Sequence, residues 1–436
     1  MSDEPAFWIT PPPFLSDPAL LAVLVALPDA RLVGGCVRDS ILNRDVADVD
    51  LAIPHSPTSV AASLTAAGLR AVMTGLAHGT ITAVSGGRGF EVTTLRRDVR
   101  TDGRHAEVAW TNDWEEDAAR RDFTMNAMSM RQDGAVYDYY TGRPDLLIGL
   151  VRFVGDPAAR IAEDYLRILR FFRFQARYGR VDPDAAALDA LQAGVPGLAQ
   201  LSTERVWSEL KRILATPDPM ASLRLMQRLG VLAAVLPDPL HLDRLERLVA
   251  IRGPEEPVLR LAALTLSGPH GGAPHPDLLP GREGAEPSPP GRGLGVAGEG
   301  SAGSSQRNAS GEEGRHGPSL PDRFRMSATE RDRLAALDGP APTPDMDDDA
   351  LRRLLADSPA GAPLGRAWIS GHDMQARLAM PRPVFPLIGR DALALGVPAG
   401  PAVGTLLRDV RAWWMEGGCR AGAAACRAEL ARRVAG

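Results

Sequence analysis

Leu32-Val33-Gly34-Gly35-Cys36-Val37-Arg38-Asp39, with Asp48-Val49-Asp50-Leu51-Ala52-Ile53 shortly after it, is the stretch on which the fold turns. A short apolar strand runs into a glycine turn and a helix start, and a second strand then carries two acids. Strand alternation puts Asp48 and Asp50 on one face and Val49, Leu51 and Ile53 on the other. Two carboxylates held so close repel each other, and divalent cations between them are the usual solution in phosphoryl and nucleotidyl transfer. The Gly34-Gly35 turn presents backbone N–H groups at a helix start, where phosphates bind. Either feature alone is ordinary turn chemistry; in this order they read as a nucleotidyl-transfer site.

Working outward, Arg31–Val33, Asp48–Ile53, Gly79–Val84, Phe90–Leu95 and Ala135–Tyr139 read as strands. From about residue 150 the pattern turns helical. One helix is expected from Arg160 to Tyr178, with Leu169, Phe172 and Ala176 as its apolar stripe. Leu201–Leu210 reads as a helix start capped by Ser202 or Thr203. Gly, Pro and Ser dominate about 267–320, too few apolar side chains to offset ordering entropy, so a disordered insertion is expected there. Helical pattern resumes at Met326.

A chain of 436 residues should hold more than one domain. No apolar run approaches the length that spans a bilayer, and the acidic start Met-Ser-Asp-Glu-Pro has no leader pattern, which points to the cytoplasm. Three widely spaced cysteines (Cys36, Cys419 and Cys426) argue against a disulfide framework, and no Cys/His cluster suggests zinc. The net charge of −5 does not suggest an RNA partner by itself, but the positive charge is clustered and nearly all arginine.

Further motifs follow. Glu91 in Phe90–Arg96 is a surface glutamate or, if its strand lies beside that of Asp48 and Asp50, a third carboxylate of the cluster. Arg120-Arg121-Asp122-Phe123-Thr124-Met125-Asn126 offers Arg121 to phosphates or sugar, while Asp122 and Asn126 suit either ribose hydroxyls or helix capping. In Glu163-Asp164-Tyr165-Leu166-Arg167, a helix would project Asp164 and Arg167 from one face, an acceptor beside a forked donor. That pair can mimic a Watson–Crick edge, or be a plain intrahelical ion pair. Arg170, Arg173 and Arg177 extend an arginine stripe suited to triphosphate or RNA backbone.

Gly-Gly-x-Val-Arg-Asp with Asp-x-Asp ten residues after the arginine resembles the tRNA nucleotidyltransferase and bacterial poly(A) polymerase family, of the class II CCA-adding type. The resemblance is specific from 31 to 214, patchy in the body, absent across the insertion and moderate in the tail. It implies an α+β fold: a polymerase-beta-like head (1–145), then an all-α neck (146–200), body (201–350, interrupted at about 267–320) and tail (351–436). It implies Asp48, Asp50 and Glu91 as catalytic, with Asp48 and Asp50 holding Mg2+. It assigns nucleotide binding to Gly35, Arg38, Arg121, Asp164, Arg167, Arg170 and Arg173, with Asp164 and Arg167 as an amino-acid template for CTP and ATP. Arg97–His105 corresponds to the family's mobile loop, and Leu387–Leu407 to its tRNA-contacting tail. His78 is read as structural and Cys36 as a small packing residue.

The implied activity is template-independent addition of C, C and A to the tRNA 3′ end, with tRNA, CTP and ATP as partners and neither membrane nor obligate protein partner. A poly(A) polymerase shares the head; a Gly-Arg-Arg-Phe stretch typical of such enzymes is missing. An A-only or CC-only specialist and an inert RNA-binding adaptor are the other readings.

Overall fold

The computed structural model describes residues 4–75, 79–101, 106–236, 239–266 and 319–435. Ten strands lie in the first third: β1 (Phe7–Trp8), β2 (Arg31–Val33), β3 (Asp50–Ile53), β4 (Arg70–Gly75), β5 (Thr80–Ser85), β6 (Arg88–Thr94), β7 (Arg96–Thr101), β8 (Ala106–Trp110), β9 (Ser129–Met130) and β10 (Ala135–Tyr137). Eight form one mixed sheet, in the order β1-β10-β9-β2-β3-β6-β5-β4, and β7 and β8 pair as a separate ribbon. Among the described residues only β3 and β6 run parallel; the other paired strands are antiparallel.

The register creates two adjacent rows across this sheet. Met130, Leu32, Leu51, Val92 and Ile81 are direct partners from strand to strand, all are buried, and all belong to the main core. Helices Pro18–Ala26 and Pro57–Ala66 cover that face with Leu20, Val23, Val60 and Leu64. Both start with proline and are capped, by the side chains of Asp17 and Ser56 respectively. Each fully buried aliphatic side chain contributes about 1.5–3 kcal/mol, so a one-residue slip of register is strongly opposed. One residue along, Ser129, Val33, Asp50, Glu91 and Thr82 form the second row, facing the other way.

Strand β3 is shorter than the sequence suggests. Pairing ends at Asp50 because its partner Val33 is the last residue before the Gly34 turn, so Asp48 lies in the unpaired segment that leads into the strand. β4 and the β7–β8 ribbon lie where no strand is expected; residues 102–105 are outside the described residues, as are His78 and 267–318. Leu320, at the edge of the expected insertion, already opens helix Leu320–Arg323.

The expected helix 160–178 is two helices, Pro157–Glu163 and Leu166–Tyr178, broken at Asp164. Asp164 is extended (φ −156°, ψ 108°), and its carboxylate accepts from the Leu166 N–H at 3.0 Å. The side chain thus competes with the helix ladder and restarts it. Phe123 of the head packs on Phe153 (5.0 Å) and on Phe174 (5.0 Å) of the second helix, so apolar packing continues without a gap through residue 145. Helix Thr203–Leu214 continues the stack, and Trp207 lies against Phe324 (5.5 Å) from beyond residue 318. A separate core of Leu387, Val410, Trp414, Cys426 and Leu430 organises the last helices. Among the described residues, no helix is long and apolar enough to cross a membrane.

Candidate active site

Gly34 has φ +71° and ψ −125°, a conformation open to glycine, and it lets the chain turn from β2 into helix Gly35–Ile41. A Cβ on Gly34 would lie 3.4 Å from Nη1 of Arg121, so that guanidinium roofs the turn. Cys36 packs beneath it, 2% exposed, its thiol 3.2 Å from the Val33 carbonyl. Burial pushes that thiol up to about 11, which fits the packing role.

Asp50 and Glu91 are direct partners across the parallel β3–β6 pair, so their side chains leave the sheet side by side. Glu91 is therefore beside the acids. The Asp50 carboxyl is raised above the usual range, first by burial of the side backed by protein, then by the negative charge of Glu91, with Asp48 adding to it and Arg121 alone opposing. All three acids are solvent-accessible. Among the described residues no three such side chains converge as a closed cation cage. The donor set is an open one of oxygens in excess of positive charge, which fits a hard cation completed by water and phosphate.

Beside the acids opens a cleft of about 410 Å³, lined by Gly34, Gly35, Arg38, Arg120, Arg121, Asp122, Asn126, Asp164, Leu166, Arg167, Arg170, Phe174 and Arg205. Its head wall is pinned from behind. Asp117, 2% exposed, takes Arg120 at 2.7 Å and Arg121 at 3.1 Å, the three- and four-residue spacing of a helix. Burial opposes ionisation of Asp117, but the two guanidiniums outweigh it and hold the carboxyl below its usual range. Arg160 donates to the backbone carbonyls of Val154 (3.1 Å) and Arg121 (3.3 Å), fixing the same loop.

Arg38 reaches the cleft but is already engaged, with Asp39 at 3.1 and 2.8 Å and with the Asn126 side-chain oxygen at 2.7 Å. Asn126 donates in turn to Asp122 (3.0 Å), which also accepts from the Phe123 N–H (2.9 Å) and from Arg170 Nε (2.8 Å). For Asp122 burial again acts against the charge and Arg170 overcomes it, so its carboxyl stays below the usual range. Asp122 and Asn126 thus hold an internal network at the cleft wall and do not stand free for a ribose.

The neck side departs further from the sequence reading. With the helix broken, Asp164 and Arg167 do not share one helix face, nor do they pair with each other: Asp164 pairs with Arg205 at 2.7 Å and Arg167 with Glu163. Both still line the cleft. Two of the three arginines of the stripe are not open either, Arg177 being the exception. Arg170 meets Asp122, and Arg173, outside the cleft wall, meets the buried Glu209 at 2.6 Å. Arg205, on helix Thr203–Leu214, is a cleft residue that sequence reasoning missed, since its partner lies 41 residues away and no local pattern marks it. Asp117 was missed as well, although its three- and four-residue spacing to Arg120 and Arg121 is a signal that could have found it.

Residues 30–152 match the poly A polymerase head domain, and residues 182–241 match the probable RNA and SrmB-binding site of polymerase A. The CCA tRNA nucleotidyltransferase 1, mitochondrial, of Mus musculus is 47% identical over 209 residues, 47% of this chain and 48% of that protein. The CCA-adding enzyme of Limosilactobacillus reuteri is 36% identical over 212 residues, 48% of this chain and 51% of that protein. Residues 30–152 are thus similar to the head domain of poly A polymerases, and both relatives are similar to part of the chain. The match spans about half the length of these relatives. The Bacillus stearothermophilus CCA-adding enzyme, solved in complex with CTP, shares the fold along 97% of this chain and 98% of its own, with a TM-score of 0.67 at 23% identity. The polymerase-beta-like head with a helical remainder is thus the fold, and a head domain of this kind implies use of a divalent metal.

Proposed function

We propose that this chain adds C, C and A to the 3′ end of tRNA, from CTP and ATP, with Mg2+ as its metal. The observation that carries the reading is the in-register Asp50–Glu91 pair beside the Gly34 turn, facing a cleft whose far wall carries Asp164, Arg167 and Arg205. Asp48 and Asp50 would hold the metal, with Glu91 as a third carboxylate. All-oxygen donors beside a triphosphate suit Mg2+. Bound there, the ion supplies Lewis acidity toward the attacking hydroxyl and neutralises pyrophosphate charge.

The chain's own residues bind and orient. Backbone N–H groups of the Gly34–Gly35 turn and the Arg121 guanidinium take phosphate oxygens. Asp164 and Arg167, an acceptor and a donor on one wall, meet the base edge, with Arg205 fixing the Asp164 carboxylate. The CTP held by the Bacillus stearothermophilus enzyme and the names of both relatives support a nucleotide in this cleft.

The test supplies tRNA transcripts lacking CCA, or ending in CC, with CTP and ATP given separately. CTP should extend the first by two residues, and ATP the second by one. Repeated ATP addition alone would make the chain a poly(A) polymerase. Incorporation of only one nucleotide would make it a specialist, and RNA binding without incorporation an adaptor. Chelation should abolish incorporation, and added Mg2+ should restore it.

A further inference from the structure

Helix Leu166–Tyr178 carries arginines at 167, 170, 173 and 177, and the first three each meet a carboxylate. Arg177 does not. It is exposed, with no hydrogen bond or ion pair among the described residues; its guanidinium carbon lies 5.6 Å from the centre of the Tyr178 ring. Arg44, from the loop after helix Gly35–Ile41, is exposed and equally unpaired, and lies 4.9 Å from that ring. Arg38 is the third cation on the ring, at 4.4 Å.

One carboxylate, Asp39, serves this cluster, and it is already used by Arg38 and by the Tyr178 hydroxyl (2.9 Å). Asp45 and Asp182, the acids nearest in sequence to Arg44 and Arg177, make no ion pair with them. Two guanidiniums are therefore left uncompensated around one ring. Cation–π contact orients them but does not neutralise them, and like charges so gathered repel unless an anion joins them.

We propose that Arg44 and Arg177, set about Tyr178, contact the phosphodiester backbone of the RNA being extended. The place argues for RNA over nucleotide. Phe174 is the last residue of this helix to line the cleft and stacks on Tyr178 (5.9 Å), which puts the pair one helical turn past the cleft wall. Buried Arg38 fills the space between Gly35 and Tyr178, so phosphates held at the glycine turn do not extend to Arg44. Planar guanidiniums suit phosphodiester oxygens. This inference rests on the tRNA-extending reading above.

The experiment measures binding of a tRNA lacking CCA by fluorescence anisotropy, from 50 to 200 mM salt, alongside CTP kinetics at saturating tRNA. Arg44→Gln/Arg177→Gln should weaken RNA binding by about tenfold. It should also flatten the slope of log K against log salt by about one to two units, since each phosphate contact contributes about 0.7–0.9. The KM for CTP should stay unchanged, and Arg44→Lys/Arg177→Lys should retain most of the binding. The exposed single variant Arg177→Gln gives the same test with about half the slope change should the double variant fold poorly. RNA affinity and slope equal to wild type would overturn the proposal, as would a raised CTP KM with RNA binding intact. Wild-type protein that neither binds nor extends the tRNA would overturn the parent reading instead.

Discussion

Arg170→Met should destabilise the protein most at neutral pH, with the loss shrinking as the solution is acidified. Asp122 is 8% exposed and loses in this variant the guanidinium that makes its ionisation favourable; Asn126 and the Phe123 N–H remain. Breaking a buried pair from one side costs about 3–5 kcal/mol. Arg170 is one-third exposed, which places the expected loss near the lower end, about 3 kcal/mol at pH 7.5. In wild type the folded Asp122 titrates below its unfolded value, so its contribution is present above the unfolded pKa and fades as pH falls through the folded one. In the variant burial acts unopposed by Arg170 and raises the folded pKa, so ionised Asp122 becomes a cost that protonation removes. Urea unfolding at pH 7.5 and 4.5 gives both differences. A loss that is the same at both pH values, or below about 1 kcal/mol at pH 7.5, would refute the reasoning. Asp122→Asn/Arg170→Met should recover part of the loss, because no charge is then left buried.

Asp50→Asn should abolish incorporation of both nucleotides yet leave the metal-free protein no less stable. A carboxyl with a raised folded pKa destabilises above that pKa, so thermal melting at pH 7.5 should show a small gain, under about 1 kcal/mol after solvent screening, that vanishes near pH 4. A melting temperature that drops, and drops further as pH rises, contradicts the crowded-carboxylate account. Arg205→Gln should imitate Asp164→Ala in raising misincorporation of UTP and GTP by roughly tenfold, a discrimination worth ~1–3 kcal/mol. Equal falls in kcat/KM for all four nucleotides would make Asp164–Arg205 a structural pair. Cys36, 2% exposed with its thiol near 11, should resist iodoacetamide at pH 7.5 in the folded protein and react in urea; rapid native alkylation would show that the turn above it opens.

The head was legible because its information is local. Alternation in β3 and the glycine turn before it lie within 20 residues, and the same alternation in β6 set Glu91 on a definable face. That Glu91 stands beside Asp50 depends on a parallel pairing, which joins strands 41 residues apart and leaves no turn signal between them. The neck was misread for a different reason. The apolar spacing of Ile161, Leu169 and Phe172 continues across Asp164, so periodicity runs on where the backbone does not; only the carboxylate's bond to the Leu166 N–H restarts the ladder.

The arginine stripe makes the same distinction by charge. Arg167, Arg170 and Arg173 look alike in sequence, and what separates them is which acid faces each: Glu163 four residues back, Asp122 in the head, Glu209 on the next helix. The first pair bridges the break at Asp164, the second ties helix Leu166–Tyr178 to the head, and the third ties it to helix Thr203–Leu214, so the stripe's positive charge is largely consumed in holding these elements together. Arg44 and Arg177 are left without an acid, and cationic charge that the fold does not spend internally is what a polyanionic substrate can use. A net charge of −5 does not weigh against the proposed RNA contact, since the charge that matters is the one left unpaired beside the site.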